Sequence, residues 1–125
     1  MDIEQSLKSV RDVYISYPKR YDLATDELRH VENEIQDILH VIELVSLDAI
    51  QMTKKYKELK HLRQVRRGLK EELEILEEIK TFVAHPKPTE KNIGQAVGKV
   101  RSTIERQKKR TYGMRVRKDW QELIK

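Results

Sequence analysis

The chain of 125 residues contains no cysteine. That excludes a disulfide framework, thiolate metal ligands and thiol catalysis; an intracellular, cytoplasmic setting fits. Glycine and proline are scarce, at four and three residues. Little of the chain is therefore available for turns, and the abundance of helix formers fits long helices or coiled coils. No apolar run approaches the roughly 18 residues needed to span a membrane. Met1-Asp2-Ile3-Glu4-Gln5 lacks the basic and apolar regions of a signal peptide. Also lacking is any catalytic set: we find no nucleophile with a base and an orienting group, and Gly94, Gly98 and Gly113 fit no nucleotide-binding fingerprint. A non-enzymatic protein without a cofactor is expected.

What the chain has in quantity is charge, at 38% of residues, equal to its hydrophobic share. The core is thin for the length, and one helical domain covering residues 1–125 is expected. The net charge of +5 is unevenly placed. Residues 24–47 carry −5, residues 48–83 carry +2, and residues 84–125 carry +8.

The stretch from Asp48 to Val83 organises the rest. Met52, Tyr56, Leu59, Leu62, Leu69, Leu73 and Leu76 recur at helical spacing, with Val65 and Ile79 widening the stripe. Asp48 and Gln51 form a capping-box start. Ala84-His85-Pro86-Lys87-Pro88 stops the helix, because proline lacks an N–H and restricts its predecessor. Before it, Tyr21, Ala24, Leu28, Val31, Ile35, Ile38, Ile42 and Val45 step by three and four without a miss, a heptad seam over 22–45. Leu39 and Leu44 widen it. The short Ser46-Leu47 connection predicts an antiparallel hairpin.

Residues 2–13 read as a short helix capped by Asp2, with Ile3, Leu7 and Val10 as one stripe. Alone it is too short to be stable, so it is expected to dock elsewhere. Tyr14-Ile15-Ser16-Tyr17-Pro18 reads as an ordered linker, its tyrosines packed on the bundle or, alternatively, Tyr14, Tyr17 and Tyr21 forming a stacking surface. A third helix over 89–110, capped by Thr89, has Ile93, Val97, Val100 and Ile104 on one face, with Gly94 and Gly98 suited to close packing. Residues 111–125 form a basic tail with an apolar anchor at Trp120, Leu123 and Ile124. On this reading the first hairpin helix is shorter than the second. Leu73, Leu76 and Ile79 are then left to the third helix or a second subunit, which makes a homo-oligomer the expectation.

The charges suggest pairings. With the turn near residue 47, Glu43 falls level with Lys54 or Lys55, Asp37 with Lys57, and Glu34 with Arg63. Lys99 and Arg101 could meet the acids of 71–78. Three carboxylate-x-x-histidine pairs (Glu27/His30, Asp37/His40 and Glu58/His61) are reminiscent of carboxylate-bridged metal bundles. Asp37 and His40 are out of phase with the seam, so no metal site is assigned.

The candidate anion or partner contacts fall in two groups. Arg63, Arg67 and Lys70 share a face, and Arg66 lies on or beside the seam, where a cation is costly unless it meets an anion. A glutamate of the first hairpin helix is one partner, and a phosphate-bearing ligand suits arginine's planar fork. The second group is the tail, where Arg106, Lys108, Lys109, Arg110, Arg115 and Arg117 cluster around Tyr112. Clustered cations with an aromatic are a footprint for nucleic acid or phosphate.

Asp37-Ile38-Leu39-His40-Val41-Ile42-Glu43-Leu44 and Leu59-Lys60-His61-Leu62-Arg63-Gln64-Val65-Arg66-Arg67-Gly68-Leu69-Lys70, with Gly98-Lys99-Val100-Arg101 and Arg110-Thr111-Tyr112, resemble small all-helical accessory proteins of bacteriophages of Bacillus-type bacteria. The resemblance implies a viral binding protein in the host cytoplasm that inhibits or redirects a host protein, such as a defence component, and it carries no site residues. The alternatives are an anion binder (an oligomeric nucleotide sponge or a nonspecific nucleic-acid-binding protein) and a structural component of the virion or replication machinery.

Overall fold

The computed structural model describes residues 2–111 and Trp120; the tail from Tyr112 onward otherwise lies outside the described residues. The fold is all-α: a long antiparallel hairpin with a short N-terminal helix and a further helix after it. In order these are α1 (Ile3–Arg11), a π-helical turn (Asp12–Ser16), α2 (Tyr17–Leu44), α3 (Ala49–Val83) and α4 (Glu90–Lys109).

The caps follow from local hydrogen bonding. The first N–H groups of a helix have no partner within it, and a side-chain oxygen supplies one. Asp48 accepts from the Gln51 N–H at 2.8 Å while Gln51 returns a bond to the Asp48 N–H at 3.1 Å. Thr89 and Asn92 form the same reciprocal box at α4, and Asp2 caps α1 through the Gln5 N–H.

The hairpin core forms where the two seams meet. Ala24, Val31, Ile35 and Leu69 are buried together, with Leu28, Leu59, Leu62, Val65 and Leu73 packed around them. Leu44 and Val45 leave this seam and are exposed at the turn, as is Tyr56 on α3. Lys55 is half-buried instead of Tyr56.

The break expected at Tyr14–Pro18 does not occur. Pro18 sits in the first turn of α2, and the backbone on either side, from Arg11 to Tyr17, stays in the right-handed helical region. In a regular helix the proline ring would collide with the carbonyl of residue 14. The wider π turn makes the room: the Tyr17 N–H bonds Asp12 O, one residue further back than in an α-helix. The helix therefore continues, and the π turn with α2 runs beside the whole of α3. Tyr14 meets Phe82 with ring centroids 6.1 Å apart. This corrects the expectation that the end of α3 lacks a partner: Leu76 is buried within one chain and Leu73 packs on the core. That basis for an oligomer falls away.

The same continuity carries α1 past the end of the hairpin. Among the described residues α1 touches only the π turn, so it does not dock as expected. Among the described residues helix α4 packs only on α3, and not through its most apolar face. Its half-buried or buried positions are Asn92, Ala96, Val100, Thr103 and Gln107, while Ile93, Val97 and Ile104 stay exposed. Gly94 and Gly98 do not mediate a close approach, since a Cβ at either meets nothing within 4 Å. None of the described helices is long and apolar enough to cross a membrane.

Two substitutions test this packing in chemical denaturation. Leu69→Ala should cost about 2–5 kcal/mol, because Leu69 sits in the buried cluster. Gly98→Ala should stabilise by about 0.5–1 kcal/mol, as expected for an unstrained helical glycine with open space around it; a loss would mean that α4 packs through its glycines after all.

Candidate functional site

Two surfaces stand out, one charged and one apolar. The charged one brings the predicted cations of α3 together with the end of α4. Arg63, Arg66, Arg67, Lys70 and Arg110, with Glu71 and Glu74, line an open groove of about 470 Å³. Arg110 joins because α4 runs antiparallel along α3: Gln107 donates to the Glu71 carbonyl at 2.8 Å, and Arg110 forms a two-pronged pair with Glu74 at 2.8 and 3.1 Å. Arg66 meets Glu32 of α2 at 3.4 Å, so the seam arginine takes a glutamate of the first hairpin helix as its partner and sits half-exposed at the seam's edge. Arg63 and Lys70 are exposed.

Arg106, Lys109 and Arg110 line a second, neighbouring depression with Ser102 and Glu105. Lys108 faces the other way, into the apolar surface. Tyr112, Arg115 and Arg117 lie outside the described residues, as do Leu123 and Ile124. Trp120 is half-exposed.

The expected register pairs do not form. Among the described residues no ion pair joins Glu43 to Lys54 or Lys55, Asp37 to Lys57, or Glu34 to Arg63. Glu34 instead meets His30 one turn away, and Lys55 meets Glu58. Lys54, Lys57, Lys60 and Arg63 are exposed to water, where a long side chain keeps more conformational freedom than a surface pair returns. Asp37, Glu34, Glu58 and His61 do border one shallow groove across the hairpin, but no cluster with metal-ligand geometry occurs among the described residues.

The acidic stretch 71–78 is gripped elsewhere. Arg20 of α2 binds Glu72 through two nitrogens, one at 2.9 Å, and also Glu27 at 3.0 Å. Neither Lys99 nor Arg101 makes the contact expected of them; Arg20 and Arg110 do. The bond from Arg20 holds the Glu72 carboxyl below its ordinary range, and Arg110 does the same for Glu74. Tyr21 lies under Lys80, whose ammonium is 4.3 Å from the ring centroid. A hydrogen bond with Glu77, then burial, pushes the Tyr21 phenol up. Tyr14 and Tyr21 are thus committed to contacts with α3, not to a stacking surface. The roles of Arg20 and Tyr21 were missed because the sequence places the helix at 22–45, whereas α2 already starts at Tyr17.

The apolar surface is a trough of about 700 Å³ between the π turn, α3 and α4. Val13, Ile79 and Phe82 form one side and Ile93, Val97 and Ile104 the other, with Arg101, Glu105 and Lys108 at the rim. Among the described residues α4 contacts α3 but neither α2 nor the π turn, which leaves the trough between them.

No protein-family model matches the chain, and no curated protein or solved structure shows significant similarity to it.

The two carboxylate contacts contribute to the acid limb of stability. A carboxyl whose folded pKa is depressed contributes stability above its unfolded pKa and loses it as pH falls through the folded value. Glu72→Gln should therefore flatten the fall in stability below the ordinary carboxyl range, measured as Tm against pH, by an amount under about 1 kcal/mol for so exposed a pair.

Proposed function

We propose that the chain is a non-enzymatic, phage-type binding protein that engages a host protein and inhibits or redirects it. The observation that carries this reading is the apolar trough along α4. Its volume of about 700 Å³ and the row of exposed Ile93, Val97 and Ile104 suit an amphipathic helix laid into a groove, the geometry read by anchors at i, i+3, i+4 and i+7. An exposed apolar patch of this kind on a small chain marks an interaction site more often than chance. The sequence resemblance to phage accessory proteins supplies the host context.

An anion-binding role is the second reading. It is favoured by the convergence of Arg63, Arg66, Arg67, Lys70 and Arg110 in one groove. Glu32 and Glu74 already occupy Arg66 and Arg110, so Arg63 and Lys70, both exposed, are the residues on which a phosphate would chiefly draw.

Affinity capture from a Bacillus-type lysate, with and without nuclease, separates the two. On the first reading a protein is recovered regardless of nuclease, and Val97→Glu abolishes its recovery while Arg63→Glu with Lys70→Glu does not. On the second, recovery is nuclease-sensitive or lost with the α3 charge reversals, and affinity for a nucleic-acid probe drops steeply as salt rises from about 50 to 200 mM. Recovery that survives both sets of changes would reject both surfaces.

A further inference from the structure

Among the described residues two apolar surfaces are left open. The first is convex: Ile3, Leu7 and Val10 of α1 are 71%, 66% and 53% exposed, and among the described residues α1 touches nothing beyond the π turn. The second is the trough, where Ile93, Val97 and Ile104 of α4 are 48%, 50% and 37% exposed. We propose that the trough is occupied by α1 of a second copy of this chain, in a reciprocal, end-to-end exchange that makes a two-fold dimer. This rests on the reading of the trough as a helix-docking groove, and it names the occupant.

Within one chain the contact is barred. The backbone is helical from α1 through the π turn into α2, so α1 is carried along the axis of α2 beyond the end of α3. Reaching its own trough would require a reversal at Asp12–Ser16. A second copy inverted about an axis near that turn meets no such bar. Its α1 points into the open end of the trough, beside Val13, Phe82 and Ile93. The contact is isologous, so both troughs close together and the assembly stops at two chains.

The dimensions agree. From Ile3 to Arg11 a helix rises about 12 Å, and from Ile93 to Ile104 about 16 Å. The charges do not oppose the contact. An inserted α1 would lead with Asp2 and Glu4 toward the far part of the trough, whose lining carries Arg101 and Lys108 as well as Glu78 and Glu105. Lys8 and Arg11, in the last turn of α1, would stay at the mouth, where the first turn of α4 carries Glu90 and Lys91. The exchange also explains why a nine-residue helix, too short to be stable by itself, carries an unbroken apolar stripe. In the free protein each trough would be closed, and a host helix would displace α1.

The absence of cysteine makes the geometry directly testable. Full-length chains carrying Leu7→Cys and, separately, Val97→Cys are mixed and oxidised. Exchange predicts a 7-to-97 cross-link between chains in excess of 7-to-7 or 97-to-97. Light scattering of the unmodified chain at micromolar concentration should give twice 14.9 kDa. Leu7→Glu should give the mass of one chain with circular dichroism unchanged, because α1 lies outside the core. Leu7→Glu and Val97→Glu chains, each monomeric alone, should dimerise when mixed, since one intact α1 and one intact trough remain. A monomeric unmodified chain, or dominant 7-to-7 cross-linking, overturns the proposal. Leu7→Glu also separates it from the reading beneath it: a monomeric chain whose capture of a host protein is lost with Val97→Glu but kept with Leu7→Glu leaves the groove a docking site and removes only the second copy from it.

Discussion

A helix that passes through a proline without stopping sets the dimensions of this molecule. Had the chain broken at Pro18, α2 would cover only part of α3 and the far end of the long helix would be bare. The π turn at Asp12–Ser16 absorbs the proline ring and lets the first long helix reach the level of Phe82. From that one accommodation follow the contact of Tyr14 with Phe82 and the projection of α1 beyond the hairpin. A hairpin of two long helices needs matched lengths to bury its seam, and the length here comes from tolerating a wide turn instead of adding a further element.

The charged residues act within this frame as register marks. Glu72 and Glu74 are two residues apart on α3, and positions so spaced point to different sides of a helix. Arg20 of α2 takes the first and Arg110 of α4 takes the second. The two arginines thereby hold α2 and α4 on separate sides of α3, and the trough between them stays open. Such half-exposed pairs add little stability; their effect is to choose one arrangement among several that would bury similar apolar area. Arg63 and Lys70 lie exposed on the same helix.

Much of the architecture was legible from residues alone. The Asp48 and Thr89 boxes, the seam from Ala24 to Ile38 and the stop before Pro86 rest on local hydrogen bonding and on periodicity. The convergence of Arg63, Arg66, Arg67 and Lys70 was legible in the same way, because helical spacing alone places Arg63, Arg67 and Lys70 on one face. Arg110 was assigned to the tail group; only the antiparallel course of α4 brings it into the α3 groove. The misreadings share a cause. Pro18 reads as a terminus because its clash with a preceding carbonyl is local, whereas the remedy, a wider turn, repays its cost only through the contacts of Tyr14 and Tyr21 with a distant helix. Gly94 and Gly98 read as a packing face because small residues permit close approach, but permission is not a contact.

Helix α4 shows most plainly where the division lies. Its limits and its cap were determined by the sequence alone, since a Thr-x-x-Asn start and a run of helix formers satisfy backbone groups without outside help. Which of its faces is buried was decided only in the tertiary structure. The apolar row Ile93, Val97 and Ile104 would win on hydrophobicity, yet Ala96, Thr103 and Gln107 are the residues that fit against α3, with Gln107 bonded to the Glu71 carbonyl and Arg110 clamped on Glu74. Periodicity reports how apolar a face is. It does not report the shape and hydrogen-bonding demand of the surface that face must meet, and at α4 those two terms selected the less apolar side and left the more apolar one open.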